Sequence, residues 1–235
     1  MPVAVITGAS KGLGRALALA LADRGWDLVL TARSAEPLKA VAEEAGRRVR
    51  VAAPPGDVAD PAHRAALVAA ADGLGGLDLL VNNASALGAE PLVPLAVQPL
   101  DGLRSAVETN LLAPLALVQL ALPALRASGE GAAVLNISSD AAVEPYPTWG
   151  GYGSTKAALE LLSAVLAKEE PGLRVWWVDP GDMRTDLYAA AVPDDPDLAG
   201  RPLPEDVVPA LLALLDRRAA SGRYSAPALL AGERV

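Results

Sequence analysis

Six short runs in this chain are apolar on successive residues: Val3–Thr7, Asp27–Thr31, Val49–Ala53, Leu77–Asn82, Ala133–Ser138 and Arg174–Asp179. A strand with one wet face alternates apolar and polar side chains. Unbroken apolar runs belong to strands buried on both faces, as in a parallel sheet. Between them lie helix-length segments near Leu13–Arg24, Pro37–Ala45, Pro61–Asp72, Leu100–Leu122, Tyr152–Glu169 and Glu205–Arg217. This alternation predicts an α/β fold, a doubly wound parallel sheet whose right-handed crossovers place helices on both faces. With 235 residues and no internal repeat, the chain reads as one domain over residues 1–235. The Pro- and Asp-rich stretch Pro193–Pro204 reads as a surface loop and a candidate lid.

Composition removes whole classes of chemistry. There is no Cys, which excludes disulfide frameworks, thiol catalysis and Cys-based zinc sites. His63 is the one histidine, so a Ser-His-Asp triad or a multi-His metal site has almost nothing to work with. The net charge of −8 and pI of 4.7 argue against a nucleic-acid partner, which needs cations to neutralise phosphates. Hydrophobic residues make up 52% of the chain, which raises the question of a membrane. A spanning helix needs about 20 apolar residues. The longest uncharged candidate, Leu111–Leu125, contains Gln119 and is interrupted by Pro114 and Pro123. No basic segment precedes an apolar one at the start, so no secretory signal is expected. The expectation is a cytoplasmic protein with no membrane partner.

The first strand runs straight into Thr7-Gly8-Ala9-Ser10-Lys11-Gly12-Leu13-Gly14. Glycine lets backbone approach a pyrophosphate, and the following helix offers its unpaired N–H groups to the anion. The spacing is Gly-x3-Gly-x-Gly, not the commoner Gly-x-Gly-x-x-Gly. The second strand ends Thr31-Ala32-Arg33-Ser34. An acidic residue there would hold ribose hydroxyls, whereas Arg suits a 2′-phosphate. Ala32 offers no carboxylate, and Arg33 and Lys11 offer two cations. NADP(H) is therefore favoured, with NAD(H) as the alternative.

Further on stands Tyr152-Gly153-Ser154-Thr155-Lys156. Tyr and Lys at this separation share one helix face. A phenol titrates near 10 in water, and a neighbouring ammonium lowers that value. Such a pair is an acid/base device that needs no histidine. Only four of the 20 basic residues are Lys, so a Lys placed here stands out. Ser138 and Ser139 close the strand before this helix, where ligands of α/β sheets bind; adjacent residues point apart, so one of the two is expected to face the site.

On these residues the chain resembles the short-chain dehydrogenase/reductase family. The ordered motifs are the glycine turn, Asp57-Val58, Asn82-Asn83-Ala84, Asn110, Ser139, Tyr152 with Lys156, and Pro180-Gly181 followed by Thr185. The resemblance implies a Rossmann-like fold and hydride transfer between a nicotinamide cofactor and a small carbonyl or alcohol compound. It implies that Tyr152 is the acid/base and that Lys156 lowers its pKa while holding the nicotinamide ribose. It implies that Ser139 binds the substrate oxygen and that Asn110 helps order a relay water. Asp57 and Val58 would hold the adenine, Asn83 would lie along the cofactor, and Pro180, Gly181 and Thr185 would meet its nicotinamide end. The stretch Leu166–Pro171, with Pro180-Gly181 and Thr185-Asp186, is similar to sepiapterin reductases.

Two departures from the family stand out. Ser85 replaces the usual Gly after Asn-Asn-Ala, and the C-terminal part lacks the usual closing Asp-Gly-Gly turn. The family pattern also implies a homodimer or homotetramer through the helices near Leu100–Leu122 and Tyr152–Glu169. The substrate pocket is expected near Leu87, Tyr146, Trp149 and Met183–Leu198. His63 is expected to be solvated beside a helix capped by Asp60, and Asp194, Asp195 and Asp197 to be a solvated loop. The rival to an enzyme is a non-catalytic dinucleotide sensor that kept the fold. The combination of Asn110, Ser139, Tyr152 and Lys156 counts against it, because a sensor needs no proton donor.

Overall fold

The computed structural model describes residues 1–129 and 131–232. Seven parallel strands form one sheet in the order β3-β2-β1-β4-β5-β6-β7: β1 Val3–Thr7, β2 Asp27–Thr31, β3 Val51–Ala52, β4 Leu79–Asn82, β5 Ala133–Ile137, β6 Arg174–Asp179 and β7 Gly222–Ser225. The order reverses between β1 and β4, which opens a crevice at the carboxyl ends of the strands. Alternate side chains of each central strand enter opposite cores. Ala4 and Ile6 pack with Leu17, Leu21, Leu28 and Trp176 on one face. Val3 and Val5 pack with Leu67, Leu80, Leu117 and Val175 on the other. Both faces are dry, as the unbroken apolar runs require.

The first face carries α1 Gly12–Asp23, α2 Ala35–Ala45 and α8 Pro204–Arg217; the second carries α3 Pro61–Leu74, α5 Ala113–Ser128 and α6 Gly150–Glu169. Asp60 caps α3 by accepting from the Ala62 N–H, with Pro61 in the first turn. The remaining helices are α4 Leu100–Val107, α7 Asp186–Ala191 and α9 Ala226–Leu230.

Several sequence expectations shift. β3 pairs over two residues instead of Val49–Ala53, because the sheet ends there. β7 and α9 were not anticipated: Gly222–Ser225 has only one buried side chain, Tyr224, and shows no apolar run. Pro114 and Pro123 do not interrupt the helix. The segment Leu100–Ser128 is continuously helical, with a turn of π-helix over Glu108–Leu112 between α4 and α5. By length and composition it would cross a membrane, yet Leu117, Val118, Ala121 and Leu125 pack into the second core. The Pro193–Pro204 stretch is a tied-down loop. Arg201 bridges Asp195 at 2.6 Å and Asp182 at 2.7 Å, and stacks over the Tyr188 ring at 4.4 Å. Asp195 is therefore an ion-pair partner and not a solvated charge. His63 is also held: its Nε2 lies 2.7 Å from Thr31 Oγ1, and its ring occupies the space beside Gly56.

Candidate active site

A cleft of about 450 Å³ runs along the crevice from the β1–β2 end to α6. The cofactor and catalytic positions expected from the sequence line it except Gly14, which is packed beneath the glycine turn, and Asn110, which sits directly behind its wall.

The glycine turn is shaped by contacts that exclude a side chain. Gly8 and Gly12 have φ of +66° and +56°. A Cβ on Gly14 would lie 2.4 Å from the Gly8 carbonyl oxygen and 2.5 Å from Asn83 Nδ2. Asn83 donates to the carbonyls of Thr7 at 2.8 Å and Gly8 at 3.2 Å, fixing the turn to the end of β4. Thr7 Oγ1 receives the Asn83 and Ala84 N–H groups. Helix α1 starts without a side-chain cap, so its first N–H groups face the cleft free of any hydroxyl or carboxylate of the described residues. This is a cradle a diphosphate fits.

Beside it, Arg33 is exposed on the cleft wall and makes no side-chain hydrogen bond or ion pair among the described residues. Lys11 behaves differently. Its Nζ pairs with Asp186 at 2.7 Å, across the cleft mouth. Asp57 Oδ1 accepts from the Ala59 N–H, and the Val58 carbonyl accepts from the buried Arg64 at 2.6 Å.

At the far end, α6 presents Tyr152 and Lys156, which are 6% and 2% exposed. Lys156 Nζ donates to the Ile137 carbonyl at 2.8 Å and sits 5.5 Å from the Tyr152 ring centroid. Burial pushes Lys156 down to about 8. Burial also pushes Tyr152 up to about 12, opposed by the Ser85 hydroxyl and reinforced by Asp179 and Asp140. The phenol is raised where the sequence predicts a lowering by the ammonium, because burial and the two carboxylates act in the same direction.

Ser138 and Ser139 do diverge. Ser138 is buried and donates to Glu160 at 2.6 Å. Ser139 is half-buried at the cleft, where its Oγ accepts from the Ala141 N–H and donates to Asp140 at 3.1 Å. Asn110 lies in the π-helical turn and has a saturated side chain. Its Nδ2 donates to the Ala86 carbonyl at 2.8 Å and to Thr155 Oγ1 at 2.9 Å; its Oδ1 accepts from the Ala86 N–H at 2.8 Å and from Ser85 Oγ at 3.3 Å. The loop after β6 carries Pro180, Gly181 with φ +73°, and Thr185, whose Oγ1 caps α7 at the Tyr188 N–H. Burial raises the carboxyls of Asp179 and Asp182, and Asp140 repels both.

Leu87, Trp149, Met183, Leu187, Tyr188 and Ala191 give this end an apolar wall. Tyr146 is not part of it; its hydroxyl donates to Asp140 at 2.9 Å. Two contributors went unread in the sequence. A Cβ on Gly153 would lie 2.3 Å from the Ala141 carbonyl oxygen, so glycine lets α6 approach the Ser139 turn. Its place inside Tyr-x3-Lys was the available signal. Arg223 pairs with Glu160 at 3.0 Å and donates to the Ser139 carbonyl at 3.3 Å. It lies on the unanticipated β7, and nothing in the sequence marks it.

Comparison with known proteins agrees with this geometry. The short chain dehydrogenase family profile matches residues 2–196. The chain is 36% identical to sepiapterin reductase of Mus musculus over 85% of its length and 82% of that protein's. It is 37% identical to serine 3-dehydrogenase of Agrobacterium fabrum, over 78% and 72%. Among solved structures, an alcohol dehydrogenase from the archaeon Thermococcus sibiricus, complexed with 5-hydroxy-NADP, superposes with a TM-score of 0.86. It has 29% identity and covers 96% of this chain and 95% of that one. The glycine cradle and the Tyr-Lys helix thus stand in one cleft of a chain that belongs to the short-chain dehydrogenase family, an NAD(P)-dependent oxidoreductase acting on alcohol and carbonyl groups.

Proposed function

We propose that the protein uses NADP(H) to interconvert a small carbonyl compound and its alcohol, with Tyr152 exchanging the proton. The carrying observation is that the buried Tyr152–Lys156 pair and the glycine cradle line one continuous cleft. The bound cofactor supplies or accepts the hydride. The turn Gly8–Gly14, including Ser10 and Leu13, would hold the diphosphate. Asp57, Val58 and Asn83 would hold the adenine side, and Pro180, Gly181 and Thr185 the nicotinamide side. Arg33 supports the 2′-phosphate reading, because it is an exposed cation with no competing partner among the described residues. Lys11 joins it by leaving or sharing Asp186.

In the reducing direction the Tyr152 O–H bond breaks as its proton passes to the substrate oxygen, and the phenolate keeps the electron pair. Ser139 orients that oxygen. Lys156 is mostly charged at neutral pH with a pKa near 8 and stabilises the phenolate. The saturated side chain of Asn110 ties the Ser85–Ala86 loop to α6, which leaves its backbone to order a water. The apolar wall suits a partly hydrophobic substrate. NADPH consumption against ketones, aldehydes, diketones, pterins and serine-derived aldehydes tests this reading; binding of NADPH without turnover of any of them would favour the sensor.

The same reading places the protein in the cytoplasm as a homodimer or homotetramer, with no membrane or nucleic-acid partner. Leu161 and Val165 on α6, Leu120 on α5 and Leu112 just before it are large apolar side chains left at the surface, Leu161 by 68%. Sedimentation of the wild type and Val165→Glu is the check. A dimer that the charge dissociates is expected, and a wild-type monomer with full activity would end the oligomer reading.

A further inference from the structure

The end of β5 is gripped at three successive residues. The Ile137 carbonyl accepts from Lys156 Nζ at 2.8 Å. The Ser138 hydroxyl donates to Glu160 Oε1 at 2.6 Å. The Ser139 carbonyl accepts from Arg223 Nη2 at 3.3 Å, besides closing its own turn with the Ala142 N–H at 3.1 Å. Lys156 and Glu160 stand one turn apart on one face of α6. Arg223 stands on β7, and β6 lies between β7 and β5, so its side chain spans a whole strand to reach Ser139. Its Nε meets both Glu160 oxygens, at 3.0 and 3.1 Å. The Glu160 side chain is 11% exposed, and a carboxylate this dry needs its cation. The planar fork of arginine lets one nitrogen hold Glu160 while another reaches Ser139; lysine has a single nitrogen.

We infer that Arg223, paired with Glu160, is a positioning residue for Ser139: it fixes where the Ser139 turn stands relative to the helix that carries Tyr152. This rests on Ser139 binding the substrate oxygen. The bonds that Ser139 Oγ makes, with the Ala141 N–H and with Asp140, lie inside its own turn. They orient the hydroxyl within the turn and say nothing of its distance from Tyr152. Glu160 belongs to the Tyr152 helix, eight residues further on. The bond from Ser138 to Glu160 and the Arg223 fork between Glu160 and Ser139 therefore gauge the turn directly against α6. Ser138, the serine that faces away from the cleft, is one jaw of this clamp. Arg223 touches no reacting atom; it acts by setting the place of a group that does.

A double-mutant cycle against Ser139→Ala tests this. Arg223→Met is combined with Glu160→Gln, so that no lone carboxylate stays buried and the Gln oxygen still accepts from Ser138. The probe is whichever ketone, aldehyde, diketone or pterin the wild type reduces fastest with NADPH. In the wild-type background the combined change should lower kcat/KM by about ten- to a hundredfold, the scale of a misplacement of about 1 Å. In the Ser139→Ala background it should cost no more than about twofold, because the group it positions is already gone. NADPH affinity should stay near wild type. Hydrogen exchange of the Ala141 and Ala142 amides, which bond to Ser139, should quicken. An equal loss of kcat/KM in both backgrounds, or none in the wild type, overturns the inference and leaves Arg223 as a contact of the fold. Unchanged exchange at Ala141 and Ala142 overturns it too, and needs no substrate to be read. Full kcat/KM in Ser139→Ala alone, or a wild type that reduces none of the probes, would instead overturn the reading beneath it.

Discussion

At the β1–β2 end of the cleft the working surface is backbone and solvated cation: the Gly8–Gly14 turn, the open start of α1, and exposed Arg33. At the α6 end it is buried side chain, with Tyr152 and Lys156 almost inaccessible and Asn110 fully bonded. The first end offers shape and charges that water already screens. The second changes the properties of its groups by removing water, which is why Tyr152 and Lys156 titrate away from their ordinary values. Changes at the two ends should therefore fail in different ways. The α6 end should lose rate with binding kept. The β1–β2 end should change which cofactor binds and leave the rate of the chemical step in place.

The largest effect is expected at Tyr152. Tyr152→Phe keeps the ring that packs with Leu87, Ala141 and Trp149 and removes only the proton donor. Turnover should fall by about 10²–10⁴-fold, the usual range for general acid/base catalysis. Cofactor affinity should stay near wild type. Stopped-flow measurement of the chemical step beside a fluorescence titration of NADPH separates the two, and a loss of binding with normal chemistry would invert the comparison.

A smaller effect is expected at Arg33. Replacing it with Leu and Ala32 with Asp removes a charged partner for a 2′-phosphate and adds an acceptor for ribose hydroxyls. A hydrogen bond to a charged group contributes about 1.5–3 kcal/mol, or about ten- to a hundredfold in affinity. The NADPH-to-NADH ratio of dissociation constants should rise by that factor, less whatever Lys11 retains. If the ratio does not move, Arg33 is a surface charge and cofactor choice lies elsewhere in the cleft.

The two ends also differ in how far the sequence reveals them. Backbone demands leave a visible mark: Gly8, Gly12 and Gly14 are spaced by geometry that no other residue satisfies, and all three line or border the cleft. Buried strands are equally visible, because two dry faces require unbroken apolar runs. The α6 end is legible only in its types and spacing, Tyr152 with Lys156 and a Ser at the end of β5. What the sequence did not reveal is how burial acts on them, since desolvation depends on what packs above the helix. Arg223 and β7 were missed for a related reason: a four-residue edge strand with one buried side chain carries no periodic signal. Lys11 was read as a free cation because its partner, Asp186, is 175 residues away in the chain.

The smallest effect concerns stability, and it tests whether Lys156 is as dry as the comparison requires. In the folded protein its pKa is near 8, against 10.5 when unfolded. Below pH 8 both states carry the proton, and the folded protein bears the full cost of a buried ammonium. Between pH 8 and 10.5 the folded state releases the proton while the unfolded state keeps it, so stability rises with pH across that window. Other groups titrate there too, and Lys156→Met serves as the reference that cancels them. Met fills similar space without a charge, but it leaves the Ile137 carbonyl without its 2.8 Å donor, which shifts the reference by a constant amount. The melting temperature of wild type minus that of Lys156→Met should therefore climb from pH 8 to 10.5. The corresponding change in stability is at most about 3 kcal/mol, from a 2.5-unit shift at 1.36 kcal/mol per unit. A difference that stays flat over this window would mean that water reaches the ammonium. In that case the α6 end would be as solvated as Arg33, and its chemistry could not owe anything to burial.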